Sequence, residues 1–96
     1  MDYEDSSLDA SNPHLQAVAE HLFRVEQARR QAKAAQRAAA ESFEKSVDSQ
    51  DRTANSYEKL AQFGEGDEYL ENAARHRAFA HEGRRIAEQL RRMAGD

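Results

Sequence analysis

Phe63-Gly64-Glu65-Gly66-Asp67 is the one clear punctuation between residue 13 and the end of the 96-residue sequence, and its reading decides the fold. A glycine just past a run of helix formers suits the left-handed turn that closes a helix C-terminus. Asp67 and Glu68 then suit the start of a new helix, where a carboxylate caps free N–H groups and meets the positive end of the helix dipole. So short a connection leaves no room for parallel neighbours. The helices on either side must run antiparallel.

Upstream, Asn12-Pro13 is a helix start. Asn12 can cap, and Pro13 sits where a missing N–H costs nothing. From there to about Gln62 nothing forces a break. Leu15, Val18, Leu22 and Val25 recur at spacings of three and four, and Ala28, Ala32, Ala35 and Ala39 continue that stripe. Phe43, Val47, Gln50, Ala54, Tyr57 and Ala61 carry it on as a heptad-like seam. The weak point is Ser46-Val47-Asp48-Ser49-Gln50-Asp51, because Ser and Asp compete for backbone hydrogen bonds.

Downstream, a second helix is expected over about 67–94, with the stripe His76, Phe79, Gly83, Ile86, Leu90 and Met93. Ala73, Ala80, Ala87 and Ala94 flank that stripe at a strict spacing of seven. Arg91 and Arg92 suit the negative end of this helix, and Gly95 suits its stop.

The expected fold is therefore all-α: an antiparallel helical hairpin with a long first helix (about 13–62) and a shorter second one (about 67–94). Folding about residue 65 sets Val47 opposite Gly83 and brings Glu41 and Glu44 towards Arg84 and Arg85. The expected hairpin core is Phe43, Val47, Tyr57, Leu60, Leu70, Phe79, Ile86, Leu90 and Met93. At 1.5 Å per residue the helices span about 75 Å and about 42 Å, so roughly residues 13–35 overhang. That overhang carries Leu15, Val18, Leu22, Phe23 and Val25, each worth about 1.5–3 kcal/mol when buried. It predicts a homodimer with a four-helix-bundle core, or docking to a helical partner protein, through Leu15, Val18, Leu22, Phe23, Ala28, Ala32 and Ala35. The alternative breaks the first helix near 46–51 and folds it back as a three-helix bundle.

Composition agrees. Residues 12–96 are expected to form a single helical domain after an acidic, aperiodic tail at 1–11 that is expected to be disordered. The chain has no cysteine, which excludes disulfide scaffolds and thiolate chemistry. Its first residues, Met1-Asp2-Tyr3-Glu4-Asp5, lack the apolar region of a secretory signal, and no stretch approaches the roughly 20 apolar residues that cross a bilayer. We expect a cytoplasmic protein without membrane contact. Net charge is −4, in blocks that alternate in sign. Residues 23–40 are basic, 41–71 acidic and 72–96 basic, so folded-back or paired segments attract.

The chemistry-bearing motifs are missing. No Glu-x-x-His accompanies His14, His21, His76 or His81, so neither a di-iron site nor zinc is expected. No Gly-x-Ser-x-Gly, Walker-type loop or dinucleotide fingerprint occurs. We expect no catalytic residues, no cofactor and no enzyme activity. Arg29, Arg30, Lys33 and Arg37 form a basic run that could track phosphates, which makes a nucleic-acid-associated small regulator the alternative function. Against it stand the acidic whole and the absence of interleaved aromatics.

Residues 43–92 carry Tyr57-Glu58-Lys59-Leu60-Ala61, Gly66-Asp67, Ala73-Ala74-Arg75-His76-Arg77 and Arg84-Arg85-Ile86-Ala87-Glu88. This pattern resembles short uncharacterised helical-hairpin proteins of actinobacteria, a group without an established activity. The resemblance implies a small intracellular bacterial protein and nothing about mechanism. The functional expectation is a non-catalytic helical interaction or oligomerisation module.

Overall fold

The computed structural model describes residues 12–64 and 66–96, and the tail at 1–11 lies outside them. Two helices make up the fold: α1, Pro13–Ala61, and α2, Gly66–Ala94. The chain's internal contacts divide into two units, Met1–Ala32 and Lys33–Asp96.

α1 begins, and both helices end, as their sequence signals dictate, while α2 begins at Gly66 with Asp67 and Glu68 inside its first turn. Asn12 caps α1: its Oδ1 accepts from the His14 N–H at 2.9 Å. The last turn of α1 tightens, with Gln62 N–H donating to Lys59 O at 3.2 Å and Phe63 N–H to Leu60 O at 3.0 Å. Gly64 then takes φ 132°, which an L side chain rarely adopts. At the other end, Gly95 takes φ 85°. Its N–H donates to Arg92 O at 3.0 Å, and Asp96 N–H donates to Arg91 O at 2.9 Å. This pair of bonds is the Schellman pattern, which satisfies carbonyls the helix itself leaves open.

α1 runs unbroken through Ser46–Asp51, so the three-helix alternative is not the fold. The hydroxyls just beyond this stretch bond back along the helix. Thr53 Oγ1 donates to Ser49 O at 3.0 Å and Ser56 Oγ to Arg52 O at 3.1 Å. Val47 is buried, Gln50 meets His76, and Asp51 meets Arg84 across the hairpin. These tertiary contacts, which need a helical register, outweigh the weak local propensity.

In the unit Lys33–Asp96, the two helices form the hairpin, and its core is made of methyl groups. The buried apolar residues are Ala40, Val47 and Ala54 on α1, and Ala73, Ala80, Ala87 and Ala94 on α2. Each series repeats every seven residues. The helices pack so closely at Gly83 that a Cβ built there would stand 2.8 Å from Val47 Cγ2. Val47 therefore does face Gly83, as the sequence register requires.

The expected core needs correction. Of its nine residues only Val47 is buried. Tyr57, Ile86 and Leu90 are half-buried, while Phe43, Leu60, Leu70, Phe79 and Met93 are exposed. The reason is steric. Two helices brought together over methyl groups leave no depth between them for a Phe or Leu, so large side chains move to the flanks. The alanine row that flanks the stripe on α2 is the row that packs inside.

In the unit Met1–Ala32, α1 is solvent-facing from Pro13 onward except at Leu15 and Gln27, which are half-buried. Val18 and Val25 are each 44% exposed, Leu22 62% and Phe23 64%.

Candidate functional site

The close approach of the helices gives the hairpin two unlike flanks. One flank is charged. The α1 row Arg37, Glu44, Asp51, Glu58 and the α2 row Arg77, Arg84, Arg91 alternate across it at seven-residue steps. Arg91 grips Glu44 with both Nε and Nη2, at 3.1 and 2.6 Å. Arg84 pairs with Asp51. Arg77 reaches Glu58 at 2.7 Å and donates to Asn55 Oδ1 at 2.8 Å. Arg37 closes the end of the row. Its Nε donates to both carboxylate oxygens of Asp96, at 2.9 and 3.0 Å, and its Nη2 to Ala94 O at 3.2 Å.

The hydrogen bond from Arg91 holds the Glu44 carboxyl below its ordinary range, and Coulomb attraction adds to it. The same bond holds Arg91 above its own. The partners differ from the sequence register, which set Glu41 and Glu44 towards Arg84 and Arg85. Glu44 belongs to Arg91, and Glu41 pairs within α1, with Lys45 at 3.4 Å. Helical side chains lean towards the N-terminus of their own helix. A long arginine on α2 therefore meets a carboxylate about one turn away from the residue its backbone faces.

The other flank is built on four heptad rows without formal charge. The α1 rows that start at Gln36 and Ala39 run at seven-residue steps to Tyr57 and Leu60. The α2 rows that start at Tyr69 and Asn72 run to Leu90 and Met93. None of their positions is Lys, Arg, Asp or Glu. Near the turn the flank is aromatic: Tyr57 stacks on His76 with centroids 5.7 Å apart and lies 6.1 Å from Tyr69. His76 Nδ1 and Gln50 Oε1 meet at 2.5 Å, a link between the helices. Further along, Phe43, Ser46 and Gln50 face Phe79, Gly83 and Ile86 across an open groove of about 330 Å³. Glu82 also lines this groove, paired with Arg85 at 2.6 Å.

The residues assigned to self-association are all on α1. Helical geometry, at 100° per residue, sets Leu15, Val18 and Leu22 on one stripe with Val25 and turns Phe23 away from Val18. Ala28 and Ala32 are exposed in the same unit, and Ala35 is exposed in the unit that follows. The basic run is divided in its duties. Arg30 pairs with Glu26 at 3.3 Å, and Arg37 is tied to the end of α2. Lys33 is half-buried.

Among the described residues no cluster of three or more His, Asp or Glu side chains could hold a metal ion. No helix among them is long and apolar enough to cross a membrane. Comparison with known proteins finds no family, no curated protein and no solved structure that matches this chain.

The charge-free flank escaped the sequence reading, although its signal was available. It consists of adjacent heptad rows lacking charge in a chain that is 33% charged. Scanning each of the seven rows for missing charge, rather than for large apolar residues, finds it.

Proposed function

We propose that this chain is a non-catalytic self-association module whose partner is a second copy of itself. One observation carries the reading. Among the described residues nothing larger than valine is buried, while Leu22, Phe23, Phe79 and other large apolar side chains are exposed. Each buried methyl contributes only about 0.8 kcal/mol, against about 1.5–3 kcal/mol for a buried Leu or Phe. A unit this small with so thin a core gains stability from association, and without cysteine it has no disulfide to take that part.

The stripe Leu15, Val18, Leu22 and Val25 on α1 is one half of a heptad seam, which a second helix would complete. Light scattering tests this directly. The wild-type chain should show about twice its 10.9 kDa mass, and Leu22→Asp should lower it towards one chain. A wild-type chain that stays monomeric at high concentration, or a Leu22→Asp variant with unchanged dimer mass, overturns the role of the stripe.

A further inference from the structure

We infer that the charge-free flank of the hairpin is itself an interface, covered by the same flank of a second copy to make a four-helix bundle. This rests on the self-association reading and names the surface that the α1 stripe does not account for.

The two flanks of one hairpin differ too sharply for a generic solvated surface. On one, arginines and carboxylates repeat every seven residues and satisfy one another. On the other, four adjacent heptad rows hold no formal charge, and Phe43, Phe79 and Met93 stand exposed on it, Phe79 at 62%.

The occupant follows from charge, shape and size. A face without charge can be covered without stranding an ion only by another face without charge. The hairpin flank of an identical chain meets that condition, with the same spacing and length, since the one carboxylate that lines its groove, Glu82, is already paired with Arg85. Shape agrees. On α2 the exposed Phe79 stands one turn before Gly83, and both line the groove. In a two-fold arrangement the Phe79 ring of each copy can seat in the open groove of the other, a self-complementary contact of the isologous kind. The flank is as long as α2, 29 residues or about 43 Å, and about 20 Å wide across two helices. That offers roughly 800 Å² per copy, the area a stable pairing buries on each partner.

Two variants of the full chain test the assignment. Phe79→Glu alters an exposed position, so the hairpin keeps its helicity by circular dichroism. Its dimer should weaken at least tenfold by sedimentation equilibrium. Independently, Ser46→Cys places a lone thiol on the groove of a chain that has none. A short bis-maleimide should bridge it to a second copy, while Asp48→Cys, on the charged side of α1, stays unbridged. If the wild type dimerises but Phe79→Glu leaves the dimer intact and Ser46→Cys is bridged no better than Asp48→Cys, the flank belongs to another protein. The inference then falls, and the α1 stripe stands. A wild type that is monomeric throughout overturns both.

Discussion

The hairpin of Lys33–Asp96 and the helical stretch Pro13–Ala32 treat their apolar residues in opposite ways. The hairpin buries its smallest side chains and leaves its largest on the flanks. The stretch Pro13–Ala32 buries none and carries Val18, Leu22, Phe23 and Val25 in the open. One helix, α1, passes through both units without interruption. The lesson is that helix formation here does not depend on a thick core. Good helix formers, caps and cross-hairpin ion pairs carry the backbone, and the large apolar residues stay exposed.

The contrast can be broken most severely at the methyl row. Ala54→Leu or Ala80→Leu puts a large side chain where the residue is 0% exposed. The helices must move apart, and the loss should be about 3 kcal/mol or more, read as a lower urea midpoint by circular dichroism. The converse change, Leu22→Ala, should shift the midpoint of dilute, unassociated chains by less than about 0.5 kcal/mol, since the side chain is 62% exposed. Equal losses at the two sites would end the comparison.

A finer probe is Gly83→Ala. Helix propensity alone favours the change by about 0.8–1.0 kcal/mol. The new methyl, however, would meet Val47 Cγ2 at 2.8 Å, and a β-branched side chain in a helix has one strongly preferred rotamer. We expect a net loss of about 1–3 kcal/mol. The added Val47→Ala change should recover most of it, so the double-mutant cycle should show a large coupling energy. Additive losses would mean that Gly83 does not set the helix spacing.

Smaller effects belong to the charged flank. Arg37→Ala removes the clamp on Ala94 O and Asp96 and should cost about 0.2–1 kcal/mol, with fraying of the last turn of α2 visible in amide exchange. The smallest expected effect is a pH dependence. Because Arg91 lowers the Glu44 pKa in the folded state, the pairing is fully present above the ordinary carboxylate range. It is lost as pH falls through the lowered folded value, so stability should decline with acid over that window. Glu44→Gln should flatten that part of the profile, and an unchanged acid limb would assign it to other carboxylates.

Much of the fold was legible in the sequence because its signals are local. Asn12 caps, Gly64 and Gly95 close the two helices, and the short turn forces the Val47–Gly83 register. The core was not legible by the usual weighting, which ranks Phe79, Leu70 and Met93 above alanine. Only the distance between the helices decides which row fits between them, and that distance is a tertiary property. The ion pairs were displaced for a different reason: the lean of helical side chains shifts a long arginine by about a turn. The charge-free flank is written in the sequence as an absence, which a search for motifs passes over.

The methyl core also governs how the protein answers to heat. The heat-capacity increment of unfolding scales with the apolar surface released, and alanine releases little. A lone hairpin should therefore have a shallow stability curve and a broad, gradual melt. If copies pair over their neutral faces, the added greasy surface must reappear as a steeper, concentration-dependent transition in calorimetry.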